Sequence, residues 1–288
     1  MTTSSVYDQI TNRIVSMLEA GTIPWRQPWG QGAQGKAQNA FSHRAYRGVN
    51  ALITNLSGYG DPRWATFNQI KANGGHVQAG AKGTPVILWK QHSIETADPD
   101  EGAVTRTIPL LRLYYVFNAE QTTGLQLPAM ATTPRVDKIE AAENIVAAMP
   151  NAPTIAHNGG GRCFYHPASD SVHMTPLSAF ENADSFYAVL FHELTHSTGH
   201  KSRLDRGLSE RIAPFGSPDY SKEELVAELG SAFLSNEAGI RNDLPNSAAY
   251  IASWLTVLRN DKAMIVQAAA KAQRAADYVL GLRKEAQA

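Results

Sequence analysis

The sequence has a single cysteine, Cys163, among its 288 residues. One thiol cannot form an intrachain disulfide or a cysteine-rich zinc cluster, which indicates a reducing compartment and leaves histidine and carboxylate as the available metal ligands. No run approaches the ~20 apolar residues of a membrane span, and the first residues lack the basic start and apolar stretch of a secretory signal. We therefore expect a cytoplasmic protein without a membrane partner.

The charge is balanced overall, with 26 basic and 26 acidic residues, but it is unevenly distributed. Residues 1–94 hold nine Lys and Arg against three Asp and Glu, and they hold four of the five tryptophans. This composition is typical of single-stranded nucleic acid binding, in which bases stack on aromatic rings and cations follow the phosphates. The alternative, that the tryptophans are core residues, stays open. The candidate DNA-binding residues are Trp25, Arg26, Trp29, Arg44, Tyr46, Arg47, Trp64, Lys71 and Lys82.

Hydrophobic spacing and turn residues predict an α+β protein of two domains. Residues 127–137 mix Pro, Thr and small residues without periodicity, which is linker composition. We place an α+β, ssDNA-binding domain at 1–128, a linker at 129–135, and a mostly helical domain with a small antiparallel sheet at 136–288. The expected helices are 6–19, 46–56, 65–73, 136–149, 183–199, 221–237, 245–259 and 261–282, with strands at 85–92 and 109–118 and a hairpin within 162–176.

The motif HELTH at 192–196 carries the clearest chemical signal. On a helix, His192 and His196 are four residues apart and project from one face, so both imidazoles can reach one metal ion. Glu193 then lies beside the ion, where its carboxylate can act as the general base of a peptidase. The spacing predicts a Zn²⁺ site, and another divalent ion such as Mn²⁺ would suit the same ligands.

A third ligand is expected from the downstream segment YSKEELVAELG. Its E-x-x-A-E pattern resembles the E-x-x-A-D of glutamate zincins, which implies Glu224 as the ligand and Glu228 as a residue that hydrogen-bonds a histidine ligand. Three alternatives stay open. Glu228 could be the third ligand in place of Glu224, and Asp205 could ligate instead. Ser221 and Glu224 also match a capping box that would use the carboxylate at a helix N-terminus.

Long ordered blocks of the sequence resemble plasmid antirestriction proteins of the ArdC type. The blocks include AYRGVNALITNL, YGDPRWATFNQIKANGGHVQAGAKGTPVILWK, YYVFNAEQTTG, DSVHMTPLSAF and FHELTHSTGHKSRLDR. The resemblance implies an N-terminal ssDNA-binding domain and a zincin-like metallopeptidase domain that protect incoming conjugative DNA from host restriction. In such a zincin the strand within SVHMTP would be the edge strand that pairs with an extended substrate.

These observations support two functions of different classes. In the first, the protein binds single-stranded DNA and carries a zinc-dependent peptidase, whose substrate would be a protein of the host restriction system. It would act in the cytoplasm, including that of a cell receiving the plasmid. In the second, the protein only coats single-stranded DNA, and the metal-bound domain is a scaffold without catalytic activity. The intact Glu193 favours the enzyme, because a scaffold has no need of that acid.

Overall fold

In a computed structural model, the protein mixes helices with small sheets, which confirms the expected α+β class. The structure describes residues 3–26, 36–98, 102–128, 138–158, 160–208, 217–242 and 248–282. Within these ranges, no helix has the length and apolar character that crossing a bilayer requires.

Among the described residues, the first half contains three α-helices and a four-stranded sheet. The elements are α1 (Thr3–Glu19), β1 (Gln38–Asn39), α2 (Val49–Asn55), β2 (Arg63–Thr66), α3 (Phe67–Ala72), β3 (His76–Val77), β4 (Thr84–Asp98), β5 (Gly102–Asn118) and β6 (Thr122–Thr123). The sheet order is β1-β2-β5-β4, and a separate pair joins β3 to β6. The long hairpin of β4 and β5 pairs Thr84 with Val116 at one end and Asp98 with Gly102 at the other.

The second half is mostly helical. The elements are α4 (Lys138–Ala148), β7 (Thr154–Ala156), β8 (Phe164–His166), β9 (Ser171–His173), α5 (Ala183–Ser197), α6 (Pro218–Ala238), α7 (Ala248–Asn260) and α8 (Met264–Val279). Its described strands form a three-stranded sheet in the order β7-β9-β8. The prediction of an antiparallel sheet is only partly correct, because β7 runs parallel to β9 while β8 runs antiparallel to it. The strand expected to lie at the edge, β9, is central, and β8 is an edge.

The main hydrophobic core draws on both halves of the chain. Ile10, Ile14 and Leu18 lie on one face of α1, at the spacing that predicts an amphipathic helix, and they share this core with Trp254 and Leu258 of α7. A polar contact also links α1 to the turn after α7, where the Thr11 hydroxyl donates to the carbonyl of Lys262 at 2.6 Å. The domain boundary near 130 stays a prediction, and the two halves pack on each other extensively.

Candidate metal centre

The helix α5 presents the two histidines of the HELTH motif. It begins after Asn182, whose side chain accepts a hydrogen bond from the backbone N–H of Ser185. Apolar residues bury the helix, and Leu194 between the histidines is fully buried. The Nε2 atoms of His192 and His196 are 3.1 Å apart. Both rings therefore point at one place from the same face of the helix.

The helix α6 brings Glu224 to this place. Its Oε2 lies 3.5 Å from Nε2 of His192, and its Oε1 lies 3.4 Å from Nε2 of His196. The helices approach closely because Gly230 of α6 faces Thr195 of α5, where a Cβ would stand 2.5 Å from the threonine methyl. A larger residue at 230 would hold the two helices apart.

The three side chains fit a divalent metal ion. A tetrahedral ion with ligand bonds of ~2.0–2.2 Å separates its ligand atoms by about 3.3–3.6 Å. The distances among His192, His196 and Glu224 are close to that spacing, and the three residues form one group of candidate ligand atoms within 4.8 Å of one another. Two imidazoles and a carboxylate suit Zn²⁺, and they also accept Mn²⁺.

The structure does not contain the capping box of Ser221 and Glu224, and it does not bring Asp205 to the candidate ligands. Helix α6 begins at Pro218, and the Ser217 side chain caps it by accepting from the N–H of Tyr220. Glu224 is therefore in the second turn and cannot close a capping box with Ser221. Asp205 is exposed and lies outside the group of candidate ligands.

The carboxylates and the histidines of this group are buried, and each stabilises the charged form of the other. Burial alone would raise the pKa of Glu224, but the charge of His196 and hydrogen bonds to both histidines hold the pKa of Glu224 well below its ordinary value. Burial alone would lower the pKa of His196, but Glu224 and the neighbouring Glu223 raise it well above its ordinary value. The carboxylates therefore favour positive charge at this position, whether it is a proton or a cation.

Glu193, the expected general base, lies in the same cleft and is fixed by the sheet. Its Oε2 accepts a hydrogen bond of 2.8 Å from the backbone N–H of Tyr165 in β8. The cleft has a volume of about 720 Å³, and its lining includes both histidines, Glu193 and Glu224 together with Phe164 and Tyr165 of β8. An edge strand thus borders the candidate catalytic group.

Glu228 occupies a different position from the one expected. Its Oε2 accepts a hydrogen bond of 3.2 Å from Nε1 of Trp25, whose ring is 1% exposed. The Nδ1 atom of His192 has no hydrogen-bond partner among the described residues, so Glu228 does not orient that histidine. The carboxylate beside a candidate ligand is instead Glu223, whose Oε1 lies 3.4 Å from Nδ1 of His196. Sequence reasoning missed Glu223, although it directly precedes Glu224.

Two of the tryptophans predicted to bind DNA are buried. Trp25 packs edge-on against Trp254, and Trp64 is 2% exposed under Tyr59. Both rings lie in the core in this structure and are not accessible to a base, which favours the alternative that the sequence left open. Trp25 belongs to a glycine- and glutamine-rich stretch of sequence, yet its side chain contacts Glu228 of α6 and Trp254 of α7.

The other predicted DNA-binding residues have varied environments. Arg44, Lys71 and Lys82 are exposed, and Tyr46 is half-buried. Arg47 is exposed but pairs with Asp277 of α8. The side chain of Arg26 and all of Trp29 lie outside the described residues.

Two family models match the chain, one in each half. Residues 4–117 match the N-terminal domain of anti-restriction factor ArdC, and residues 140–271 match a zincin-like metallopeptidase domain. The fold and site thus define a zincin-like metal-site protein with an ArdC-type N-terminal domain.

Solved structures and known relatives resemble this chain over nearly its whole length. The antirestriction protein ArdC from plasmid R388 is similar in its metal-free form (37% identity, TM-score 0.75, covering 95% of this chain and 96% of that one) and in its Mn(II)-bound form (36%, 0.78, 98% and 99%). This chain belongs to the ArdC antirestriction family. The uncharacterized protein y4eC of Sinorhizobium fredii is 37% identical over 99% of this chain and 95% of its own length.

A DNA primase, TraC of Escherichia coli, is 39% identical over 97% of this chain. The chain spans about a quarter of that longer protein, 27% of its length, and 20% of a second TraC. The similarity therefore covers one part of the primases and says nothing of their remaining residues.

Proposed function

We propose that this protein defends incoming single-stranded plasmid DNA against host restriction in the cytoplasm, and that its second half is a metal-dependent peptidase. The observation that supports a peptidase is that His192, His196 and Glu224 converge on one place. Glu193 lies beside them in a cleft, and an open strand edge borders this cleft. The substrate class we propose is a protein of the host restriction system.

His192, His196 and Glu224 would hold the ion, Zn²⁺ or Mn²⁺. A bound divalent ion supplies Lewis acidity, which polarises a peptide carbonyl and acidifies water. The carboxylate of Glu193 can accept a proton from water and deliver it to the leaving amine. The hydrogen bond from Tyr165 N–H to Oε2 holds that carboxylate in place and leaves Oε1 for the proton.

The strand β8 offers a place for an extended peptide. In its sheet it pairs with β9 on one side only, so within the described residues its other edge has no strand partner. A peptide could add to this edge by backbone hydrogen bonds beside Glu193. Because backbone groups supply this recognition, the selectivity for a particular protein must come from the rest of the cleft.

Metal analysis and one conservative substitution test the peptidase. We expect one divalent ion per chain in the purified protein, and none in the double variant His192→Ala, His196→Ala. Glu193→Gln should keep the metal and the fold, because an amide oxygen can still accept from Tyr165 N–H, but should lose peptide hydrolysis and restriction protection. Unchanged protection in Glu193→Gln would instead favour the scaffold function.

DNA binding, which the peptidase function and the scaffold function share, has support from the first half. Tyr46, Tyr59 and Tyr114 pack around buried Trp64 on one face of the four-stranded sheet and are half-buried, while Arg112 is exposed. Tyrosine rings and arginine side chains are groups that bind single strands by stacking and phosphate contact. We propose this face as the DNA-binding surface, with the tyrosines in place of the tryptophans.

Neighbouring residues on opposite faces of β5 provide a matched test. Successive side chains of a strand alternate between faces, so Tyr115 faces away from Tyr114, and its hydroxyl donates to Gln9. Tyr114→Ala should weaken binding of an oligothymidine by about 1–3 kcal/mol, whereas Tyr115→Ala should leave it unchanged. Equal effects of the two variants would contradict this surface, and a wild type without affinity for single strands would contradict DNA binding itself.

A further inference from the structure

We propose that Arg206 and Glu223 are positioning residues that orient His196 for the metal ion. This proposal rests on the metal role proposed above, and neither residue belongs to the HELTH motif. Both are in the cleft lining, and their side chains are 10% and 17% exposed.

The contacts form a continuous chain from Arg206 to the candidate ligand. The guanidinium of Arg206 is bidentate on Glu223, with Nη2 2.6 Å from Oε1 and Nε 3.1 Å from Oε2. The same Oε1 lies 3.4 Å from Nδ1 of His196. A fork of this kind fixes the plane of the carboxylate, so its position relative to the imidazole is also fixed.

Arg206 is itself held by the end of helix α5. Its Nη2 donates to the carbonyl of Thr195 at 2.9 Å, and its Nη1 donates to the hydroxyl of Thr198 at 2.7 Å. The segment after the helix turns back through a bond from the N–H of Arg206 to the carbonyl of Gly199. Arg206 thus joins the helix of the histidines to the helix of Glu224.

The chemical consequence concerns the proton on His196. A carboxylate at Nδ1 holds the N–H there, which leaves the Nε2 lone pair directed at the ion and makes the imidazole a better donor. His192 has no such partner at Nδ1 among the described residues. Loss of Glu223 should therefore disturb the orientation of His196 and leave that of His192 unchanged.

Arg203 provides a matched control from the same segment. Its side chain is also buried, and it donates to the carbonyl of Ser197, to the carbonyl of Asn151 and to Asp170. These contacts tie α5 to the β8–β9 turn and do not involve a candidate metal ligand. Removing its charge perturbs the fold in the same neighbourhood without touching His196.

The test is the affinity of the full chain for Zn²⁺ and Mn²⁺, measured against a competing chelator. Glu223→Gln and Arg206→Gln should weaken the affinity of the folded protein by about 10- to 100-fold, and Arg203→Gln should leave it unchanged. If Arg206→Gln does not fold, Glu223→Gln carries the test. Nitrogen-15 NMR of the loaded protein should show His196 protonated at Nδ1 in the wild type, and this signal should be lost or broadened by solvent exchange in Glu223→Gln.

Each outcome decides a separate question. A wild type that binds no metal would overturn the metal centre and this proposal together. A wild type that binds metal, with Glu223→Gln equally tight, would overturn the positioning role alone. A loss of affinity in Arg203→Gln as large as that in Arg206→Gln would also overturn it, because the effect would then reflect general distortion of the segment.

Discussion

The indole N–H of Trp25 donates a hydrogen bond to Oε2 of Glu228, although 203 residues of sequence separate them. Glu228 follows Glu224 by one helical turn, so the first half of the chain contacts the helix that carries a candidate metal ligand. The ring also packs against Trp254, with ring centroids 5.2 Å apart. Trp25 is therefore a structural residue of the core between α1, α6 and α7.

Truncation of Trp25 should destabilise the whole protein. Trp25→Ala removes a fully buried aromatic ring, and we expect a loss of about 3–5 kcal/mol in the free energy of unfolding. Urea denaturation measures it. Phe67→Ala, at a ring that is 54% exposed, is the control and should change stability by less than about 0.5 kcal/mol. A Trp25→Ala variant of full stability but weak DNA affinity would restore the base-stacking interpretation.

Gly230→Ala should destabilise the protein even though alanine favours helices. Helix propensity alone predicts a gain of about 1 kcal/mol. The added Cβ would stand 2.5–2.6 Å from side-chain atoms of buried Thr195, so the helices must separate at a cost of about 1–3 kcal/mol. Metal affinity should fall as well. Thermal unfolding measures the change, and adding Thr195→Ala should recover part of the loss.

Acid should remove the contribution of the Asp170–Arg203 pair. Burial alone would raise the pKa of Asp170, but hydrogen bonds from Arg203 and Tyr165 lower it below the ordinary value of 3.8. A depressed folded-state pKa means that the contribution is complete above pH 3.8 and is lost as pH falls through the folded-state value. Asp170→Asn should therefore be less stable than wild type at pH 7, with the difference shrinking below pH 4 in urea titrations.

Metal removal should lower the melting temperature of the wild type. An ion that binds the folded state, present at about 100 times its dissociation constant, contributes about 2.7 kcal/mol of stability. Calorimetry with and without a chelator measures the shift. Glu224→Ala should reduce the shift more than Glu228→Ala, because Glu228 contacts Trp25 instead of a candidate ligand. The reverse order would exchange the roles assigned to the two glutamates.

The sequence predicted well those parts of the structure that depend on local spacing. The period of apolar residues located α5 within two residues at its C-terminal end, and the i, i+4 spacing placed His192 and His196 on one face. The E-x-x-A-E pattern, through its resemblance to glutamate zincins, indicated Glu224 as the third ligand, and Glu224 lies in the same group as the two histidines. In each case the relevant neighbours are on the same element or follow a recurrent motif.

The sequence could not predict contacts that depend on how separate elements pack. Nothing near Trp25 shows that it reaches α6, and its glycine- and glutamine-rich neighbourhood favours the opposite conclusion. The partnership of Arg206 with Glu223 joins a turn to a helix 17 residues later. Gly230, in the middle of α6, fits the close approach to α5, but a glycine in a sequence does not identify the element that it faces.

The core shared by α1 and α7 makes each half of the chain depend on the other. Separating the halves would uncover Ile14 of α1 and Trp254 of α7, so either half alone would expose apolar surface to water. In both TraC primases the similarity covers 97% of this chain, so both halves are matched together there.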